Sequence, residues 1–333
     1  MAKAIALLSG GLDSILATKI ILEQGIEVEA VNFLTVFCTC TSRDSSCLAS
    51  KSAAAKLGIN LKVIEVSNEY FKVIKNPRYG YGKNMNPCID CRIFMFKKAG
   101  EYMRESGAQF LITGEVLGER PMSQRKEAMR IIERDSGLEG LILRPLCARL
   151  LEPTIPEKEG LVNREQLLSI SGRSRKPQME LAAQLGINDY PCPAGGCLLT
   201  DPGFSRRMKD LMVHNPDFGL NDVQLLKLGR HFRLNPQTKL IVGRNEEENN
   251  KLLNLSKSED ICLQPFEIKG PAGVLRGLVD ENILSLASSI IARYSDNNQS
   301  EVKVSYSKTS NNISSHVILV QPIKDELLAR YMV

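Results

Sequence analysis

The loop between the first apolar run and the first helical pattern constrains the fold more than any other feature of the sequence. Two consecutive glycines, Gly10 and Gly11, stand between an apolar run at Ala4–Leu8 and a helical pattern at Ser14–Gln24. Glycine lets the backbone pass close to a ligand, and the amide groups at a helix N-terminus attract anions. The pattern predicts a strand, a phosphate-binding loop and a helix, which together open a parallel α/β sheet.

Short β-rich runs alternate with longer helical patterns over the first two-thirds of the chain, which predicts an α/β fold with a doubly wound parallel sheet. The predicted strands are Ala4–Leu8, Glu27–Phe33, Lys62–Val66, Phe110–Thr113 and Leu141–Leu143. The predicted helices are Ser14–Gln24, Leu48–Leu57, Ile89–Glu105, Arg164–Ile170 and Gln178–Leu185. In such sheets ligands bind beyond the carboxyl ends of the strands, so we expect the site there.

A chain of 333 residues favours two domains. From about Asp222 the sequence changes to β-rich apolar runs separated by polar segments. This change predicts a domain boundary near Pro216–Asp222, with a catalytic domain at 1–218 and a smaller α+β domain at 222–333. The net charge of +5, from 43 basic and 38 acidic residues, permits an RNA partner without requiring one. The sequence has no apolar run of membrane-spanning length and no signal-peptide pattern, so we expect a cytoplasmic protein without a membrane partner.

The phosphate-binding loop lacks the lysine of ordinary P-loop nucleotidases and the spacing of dinucleotide-binding glycines, so it belongs to neither class. Ser9-Gly10-Gly11-Leu12-Asp13-Ser14 matches the S-G-G-x-D-S signature and resembles the PP-loop ATP pyrophosphatases. The resemblance implies ATP cleavage between the α- and β-phosphates. We expect the amides of Gly10–Ser14 and the hydroxyls of Ser9 and Ser14 to hold pyrophosphate, and Asp13 to hold Mg²⁺.

A second motif lies at the end of the fourth predicted strand. Leu111-Ile112-Thr113-Gly114-Glu115-Val116-Leu117-Gly118, with Ser123-Gln124 after it, resembles the T-G-E-x-x-G…S-Q segment of tRNA 4-thiouridine synthetases. Asn86-Pro87-Cys88-Ile89-Asp90-Cys91 resembles a stretch in the tRNA 2-thiouridylases. The resemblance covers roughly residues 1–215. It implies an adenine nucleotide α-hydrolase-like fold, nucleotide contacts from Thr113 and Gly114, adenylation of a uridine oxygen and delivery of sulfur.

Nine cysteines in a reducing compartment indicate thiols or metal ligands rather than structural disulfides. Cys88 and Cys91 begin a predicted helix, whose dipole lowers thiol pKa values, and Cys197 follows a tight glycine loop. Members of the thiolation group with such cysteines often hold a three-cysteine 4Fe-4S cluster, and others use a persulfide and disulfide pair. The predicted catalytic residues are Asp13, Cys88, Cys91 and Cys197, the three cysteines also being the predicted metal ligands. Redox-active or zinc-bound thiols, inert buried cysteines, and Cys192 in place of Cys197 remain open.

The other cysteines carry weaker signals. Cys38, Cys40 and Cys47 follow the second predicted strand in a spacing that is not typical of zinc sites, and a second metal site, a persulfide carrier and incidental thiols all remain open. Cys147 and Cys262 lie in apolar contexts typical of core residues. The histidines follow the catalytic motifs at a distance, and none is assigned to catalysis.

The C-terminal part carries a third resemblance. Val242-Gly243-Arg244-Asn245, with Asn249 after it, resembles the NFACT RNA-binding domain over residues 222–333, although the chain has no tryptophan to match that domain's central segment. Arg230-His231-Phe232-Arg233 predicts basic side chains beside an exposed aromatic ring, suited to phosphates and bases. An accessory β-rich domain with a solvated charged face is the alternative. Further basic residues predicted to track RNA phosphates are Arg120, Arg125, Lys126, Arg130, Arg173, Arg175, Lys176, Arg206 and Arg207.

Together these features predict a transferase that uses ATP and Mg²⁺ to adenylate a uridine in tRNA and then inserts sulfur. The sulfur would come from sulfide or a persulfide carrier through the cysteines. One alternative is a PP-loop adenylating enzyme for a small molecule, against which the cysteines argue. Another is a catalytically inactive RNA-binding protein, against which Asp13 and Ser14 argue.

Overall fold

The computed structural model describes residues 2–38, 48–190, 197–296, 300–308 and 316–333. The chain forms two compact units, Met1–Asp201 and Pro202–Val333. Among the described residues, no helix is both long and apolar enough to cross a membrane.

The first unit is built on a five-stranded parallel sheet. Its strands are β1 (Lys3–Leu7), β2 (Glu27–Leu34), β3 (Leu61–Glu65), β4 (Phe110–Thr113) and β5 (Ile142–Leu143), in the order β3-β2-β1-β4-β5. The helices are α1 (Leu12–Leu22), α2 (Leu48–Leu57), α3 (Ser67–Lys75), α4 (Cys88–Glu105), α5 (Lys126–Ser136), α6 (Ile155–Lys158) and α7 (Lys176–Gln184).

Separate hydrophobic clusters cover the two faces of this sheet. Ala4 and Ala6 of β1 point to the cluster that contains α1, whereas Ile5 points to the cluster that contains α4. Because both faces of β1 are buried, its sequence is a continuous apolar run rather than an alternating one. The predicted doubly wound parallel sheet is confirmed.

Strands β1 and β4 end level with one another, and the neighbouring β2 continues past them to Leu34. Leu7, at the end of β1, pairs with Val31 of β2 on one side and with Thr113 of β4 on the other. The segments that follow these strands therefore leave the same edge of the sheet, as expected for a ligand site in a parallel α/β fold.

The second unit contains a six-stranded antiparallel sheet. Its strands are β6 (Arg230–Asn235), β7 (Thr238–Val242), β8 (Ile261–Pro265), β9 (Gly273–Gly277), β10 (Val302–Lys308) and β11 (His316–Val320), in the order β11-β10-β8-β9-β7-β6. The helices are α8 (Pro202–His214), α9 (Leu220–Leu225), α10 (Glu246–Leu255), α11 (Glu281–Arg293) and α12 (Asp325–Tyr331). Ile290 and Ile291 of α11 pack on Phe232, Leu240 and Leu263 of the sheet.

Several elements differ from the sequence-based expectation. The helix predicted at Arg164–Ile170 is wrong, because only a 3₁₀ turn at Arg164–Gln166 forms before the chain becomes extended at Leu167. Helices α3 and α5 were not predicted. The predicted domain limits of 1–218 and 222–333 stay a prediction. In the structure α8 groups with the second unit, and its Asp210 binds residues of β6 and β7.

Candidate active site

The loop after β1 is held by hydrogen bonds between its own residues. The Ser14 hydroxyl donates to the Gly11 carbonyl over 2.8 Å and lies 3.2 Å from the Ser9 hydroxyl. The Gly11 amide donates to Ser9 Oγ over 3.3 Å. Since α1 begins at Leu12, its N-terminus and the hydroxyls of Ser9 and Ser14 share one short segment. The arrangement suits an anionic ligand at the helix N-terminus.

Two glycines are required for this loop to pack. Gly10 has a φ of +80°, and a Cβ there would lie 2.4 Å from the backbone carbon of Ala49 in α2. A Cβ on Gly114, just after β4, would lie 2.5 Å from the backbone carbon of Asp13. Distances this short exclude any side chain, so α2, the Ser9–Ser14 loop and the end of β4 form one closely packed layer. The predicted nucleotide-contact residues Thr113 and Gly114 thus lie against the loop.

Asp13 lies among charged side chains from later segments. Its Oδ2 accepts a hydrogen bond from Arg175 over 3.1 Å, and Arg175 also lies 3.8 Å from a carboxylate oxygen of Glu119. Within the described residues Asp13 Oδ1 is buried without a hydrogen-bond partner. Burial raises the pKa of Asp13 against the opposing charges of Arg175 and Arg120, and burial followed by the Asp13 charge raises the pKa of Glu119. The guanidinium therefore occupies the position of a cation between two carboxylates.

The glutamate of the T-G-E motif is buried within an ion-pair network. Glu115 is 2% exposed and pairs with Arg144 over 3.1 Å and with Arg92 over 3.3 Å. Arg144 pairs in turn with Glu133 of α5. Glu115 thus ties the end of β4 to α4 and α5, and we assign it a structural role.

The three cysteines predicted for the sulfur site come together. Cys88 and Cys91 occupy the first turn of α4, and Cys197 precedes a short 3₁₀ helix at Leu198–Thr200. Burial raises the pKa of Tyr70 well above its ordinary value, and the three neighbouring cysteines raise it further. Burial raises the pKa of Cys197 to about 12, and it also raises the pKa values of Cys88 and Cys91. The lowering of thiol pKa expected from the helix dipole is therefore wrong, because desolvation of the thiolate dominates.

Cys38 is a fourth member of this group. It forms an isolated antiparallel bridge with Cys197, and its charge contributes to the raised pKa values of Cys91 and Cys197, for which burial is the largest cause. We call Cys38, Cys88, Cys91 and Cys197 the thiol group; none of them is in a disulfide. Cys40, Cys47 and Cys192 lie outside the described residues.

The thiol group has the donor chemistry of a metal or iron–sulfur site without a preformed ligand arrangement. In the part of the chain that the structure describes, no group of three or more His, Cys, Asp or Glu side chains is arranged to hold a metal ion. Three partly buried thiols that share one environment fit a cluster in number and type.

Arg120 connects the nucleotide loop with the thiol group. Burial raises the pKa values of both Asp13 and Cys88, and the Arg120 charge opposes this effect at both. Arg120 is therefore within electrostatic reach of both residues. Arg120 was predicted only as part of a basic surface. Glu119 was not singled out, since nothing in the sequence relates it to Asp13.

In the second unit, the motif residues Asn245 and Asn249 form hydrogen bonds with the backbone of the same unit. Asn245 caps α10 by accepting from the Glu248 amide over 2.9 Å, and Asn249 accepts from the Ala272 amide over 3.0 Å. The exposed aromatic expected at Phe232 is wrong, because that ring is 0% exposed in the core. The guanidinium of Arg230 lies 4.5 Å from the centre of the Tyr294 ring.

Two family models match the chain in separate regions. Residues 1–152 match the thiamine biosynthesis protein (ThiI) family, and residues 229–332 match the NFACT protein RNA-binding domain. The first unit is thus similar to the PP-loop tRNA thiolation group, and the second unit is similar to the NFACT RNA-binding domain. The resemblances predicted from the sequence are confirmed. The thiolation-group match contains the Ser9–Ser14 loop, Thr113, Gly114, Cys88 and Cys91.

Curated relatives match part of the chain. A tRNA-specific 2-thiouridylase MnmA of Pelobacter propionicus is 29% identical over 116 residues, which are 34% of this chain and 33% of the relative. A probable tRNA sulfurtransferase of Thermococcus kodakarensis is 32% identical over 146 residues, 43% of this chain and 36% of the relative. The chain therefore spans about a third of the length of these relatives.

Solved structures are similar over parts of the chain. A 4-thiouridine synthetase bound to RNA and ATP superposes with a TM-score of 0.36 at 19% identity, over 56% of this chain and 52% of that one. The U34-tRNA thiolase NcsA from Methanococcus maripaludis, solved with its [4Fe-4S] cluster, has a TM-score of 0.32 at 16% identity, over 68% of this chain and 70% of that one.

Proposed function

We propose that this protein is an ATP-dependent tRNA sulfurtransferase, which adenylates a uridine carbonyl oxygen and replaces that oxygen with sulfur. One observation carries the proposal: the first unit holds both a phosphate-binding loop, whose Asp13 has a buried oxygen without a hydrogen-bond partner among the described residues, and a group of thiols in which Cys38 and Cys197 pair through the backbone. The charge of Arg120 opposes the raised pKa of both Asp13 and Cys88. The family match of the first unit and the relatives named for tRNA thiolation support it. The alternative of a small-molecule substrate leaves the thiol group without a role.

In the first step the uridine oxygen attacks the α-phosphate of ATP, and pyrophosphate leaves. The negative charge on the leaving pyrophosphate would be stabilised by the N-terminus of α1 and by the hydroxyls of Ser9 and Ser14. Asp13 would hold Mg²⁺ through Oδ1, which has no hydrogen-bond partner among the described residues. Arg175 would keep its contact with the other oxygen, Oδ2.

In the second step hydrosulfide attacks the activated carbon of the base, its proton is released, and AMP leaves with the former carbonyl oxygen. When a persulfide is the donor, its outer sulfur attacks instead, and a second cysteine thiolate then breaks the S–S bond and forms a disulfide. Adenylation is needed because a carbonyl oxygen is a poor leaving group. We assign the handling of sulfur to Cys88, Cys91 and Cys197, which are partly buried and whose thiol pKa values are raised by desolvation. The same residues would hold a 4Fe-4S cluster, which when bound supplies an iron site for a labile sulfide.

Each unit has groups that would bind the substrate RNA. The second unit matches an RNA-binding family, and Arg230 with Tyr294 offers a cation beside an aromatic ring. In the first unit Arg120 and Arg175 border the crevice of Asp13. The sulfur donor, sulfide or a persulfide carrier, would approach the thiol group.

The proposal is tested with the purified full-length chain, unmodified tRNA, MgATP and sodium sulfide under anaerobic conditions. AMP and a thiolated uridine should form together, and both should be lost in Asp13→Ala. Cys197→Ser should lose the thiolated uridine, while Cys262→Ala, a buried cysteine of the second unit, should retain it. AMP that forms equally without tRNA, with no thiolated nucleoside, would favour a small-molecule substrate and contradict the proposal.

The cluster has a separate test. After anaerobic reconstitution with iron and sulfide, the protein should be brown and should absorb at about 400 nm, as expected for thiolate-bound iron–sulfur clusters. Cys88→Ser, Cys91→Ser and Cys197→Ser should each lower the bound iron. A colourless, iron-free protein that still thiolates tRNA would exclude the cluster and assign sulfur transfer to the free thiols.

A further inference from the structure

We infer that Cys38 and Cys197 form a reversible disulfide, which removes Cys197 from the thiol group and so prevents it from handling sulfur. The inference rests on the proposed function only for its consequence, because formation of the bond depends on the two cysteines alone. It also gives a role to Cys38, which the proposed function leaves without one.

The backbone already pairs the two residues. Cys38 and Cys197 form an antiparallel bridge, and the Leu198 amide donates to the Phe37 carbonyl over 3.0 Å. A hydrogen bond between the residues that flank a pair marks a non-hydrogen-bonded position, where opposite Cα atoms lie about 4.5 Å apart and side chains are closest. Disulfides join residues whose Cα atoms lie about 4.4 to 6.8 Å apart, so this position requires little backbone movement.

The side chains share one environment. Burial is the main reason that the pKa of Cys197 is raised, and the proximity of Cys91 and Cys38 adds to it. Cys38 Sγ lies 3.4 Å from the Thr35 hydroxyl, so its position at the end of β2 is fixed by a local contact. Cys88 and Cys91 occupy the first turn of α4, and neither is paired with Cys197 through the backbone. Cys38 is therefore the favoured disulfide partner of Cys197.

The oxidation is a thiol–disulfide exchange with a small disulfide such as oxidised glutathione. One cysteine thiolate attacks that disulfide and releases one glutathione thiolate, which leaves a mixed disulfide on the protein. The second cysteine thiolate attacks the protein sulfur of the mixed disulfide and releases a second glutathione thiolate. Two cysteine thiols are oxidised, one glutathione disulfide is reduced to two thiols, and the two protons pass to the released thiolates. An excess of dithiol reverses both steps.

The consequence follows from the assignment of Cys197 to sulfur handling. A sulfur atom in a disulfide can neither ligate iron nor accept a persulfide sulfur. Oxidation should therefore stop thiolation while the Ser9–Ser14 loop is unchanged.

The bond is tested by oxidising the full-length chain in glutathione buffers, quenching with acid, alkylating free thiols and mapping linked peptides by mass spectrometry. A Cys38–Cys197 link should form in the wild type and disappear after dithiothreitol. It should fall by at least about tenfold in Cys38→Ser and in Cys197→Ser, since each removes one of the two sulfurs. Cys40→Ser and Cys192→Ser are matched controls, because each lies close in sequence to one partner, and they should retain the link within about twofold.

Absence of the link, or its loss in Cys40→Ser or Cys192→Ser, would overturn the inference, and so would a dominant link from Cys197 to Cys88 or Cys91. Thermal melts of each reduced variant exclude unfolding as the cause of a lost link. The mapping uses no ATP, tRNA or sulfur donor, so a failed disulfide leaves the proposed function standing, and a failed thiolation assay leaves the disulfide standing. Oxidation should lower the thiolation rate of the wild type by at least about tenfold, whereas it should change the thiolation rate of Cys38→Ser by no more than about twofold.

Discussion

Asp13 in the first unit and Asp210 in the second are both partly buried carboxylates, but they differ in whether their oxygens have hydrogen-bond partners among the described residues. Asp210 receives two hydrogen bonds from Arg233, at 2.8 and 2.9 Å, and one from Lys239 at 2.6 Å, and its pKa falls to about 2 despite burial. Asp13 keeps one buried oxygen without a partner, and its pKa is raised by burial. A satisfied carboxylate stabilises a fold, whereas an unsatisfied one in a crevice indicates a ligand.

The largest expected effect comes from removing the unsatisfied carboxylate. Asp13→Ala should lower AMP formation by about a hundredfold to a thousandfold, because the carboxylate that would hold Mg²⁺ at the phosphates is lost. Quenched-flow or steady-state measurement of AMP checks this. Asp325→Ala, at an exposed acid of α12, is the control and should leave the rate unchanged. If Asp13→Ala kept the rate within about twofold, Asp13 would have no catalytic role.

The next effect comes from breaking the satisfied cluster. Asp210→Asn should lower the free energy of unfolding by about 3 kcal/mol, because Arg233 and Lys239 would be left without their carboxylate. Urea denaturation of the wild type and the variant measures this difference. The AMP formation rate per folded molecule should not change. A stability equal to that of the wild type would mean that solvent replaces the carboxylate, and the contrast with Asp13 would disappear.

A pH dependence should come from His231. Burial, with the charges of Lys239 and Arg207, holds its pKa well below 6.5, and its Nε2 hydrogen-bonds the Leu228 carbonyl over 2.8 Å. Below about pH 6.5 the unfolded chain therefore takes up a proton that the folded chain refuses, so stability falls as pH falls, by up to about 1.4 kcal/mol per pH unit. Above that pH the histidine contributes no slope.

Urea midpoints between about pH 5 and pH 8 measure this slope in the wild type and in His231→Gln, which cannot titrate in that range. Carboxylates titrate in both proteins, so the difference between the two slopes isolates the histidine. Equal slopes would show that His231 takes up its proton in the folded state.

The smallest expected effect lies on the surface. Lys251 and Glu247 form an i,i+4 pair on α10, with side chains 44% and 75% exposed. Lys251→Ala should change the free energy of unfolding by no more than about 0.5 kcal/mol, because water and salt screen such pairs. A loss comparable to that of Asp210→Asn would show that exposure does not separate the two kinds of ion pair.

The fold could be predicted largely from the sequence because its signals are local. Apolar runs such as those of β1 and β4 are buried on both faces, and glycines end the helices between them. The helix expected at Arg164–Ile170 is wrong because the backbone amides of Leu168 and Ile170 donate to the carbonyls of Pro145 and Leu146 instead of to the preceding helical turn. Phe232 was taken as exposed because basic residues flank it, although in a strand alternate side chains point to opposite faces.

The site was predicted only as far as its motifs reach. Ser9–Ser14 and Cys88–Cys91 are each a continuous stretch of sequence, so their chemistry can be predicted from the sequence alone. Arg175 lies 162 residues from the Asp13 that it pairs with, and Cys38 meets Cys197 only through the fold. Such contacts are set by the tertiary structure and leave no local pattern.

The central claim is that this protein thiolates a tRNA uridine, and mass spectrometry of tRNA nucleosides from cells that lack the gene tests it most directly. We expect one thiolated uridine to disappear, to return with the wild-type gene, and to stay absent with Asp13→Ala. Thiolated nucleosides that are unchanged by loss of the gene would contradict the claim.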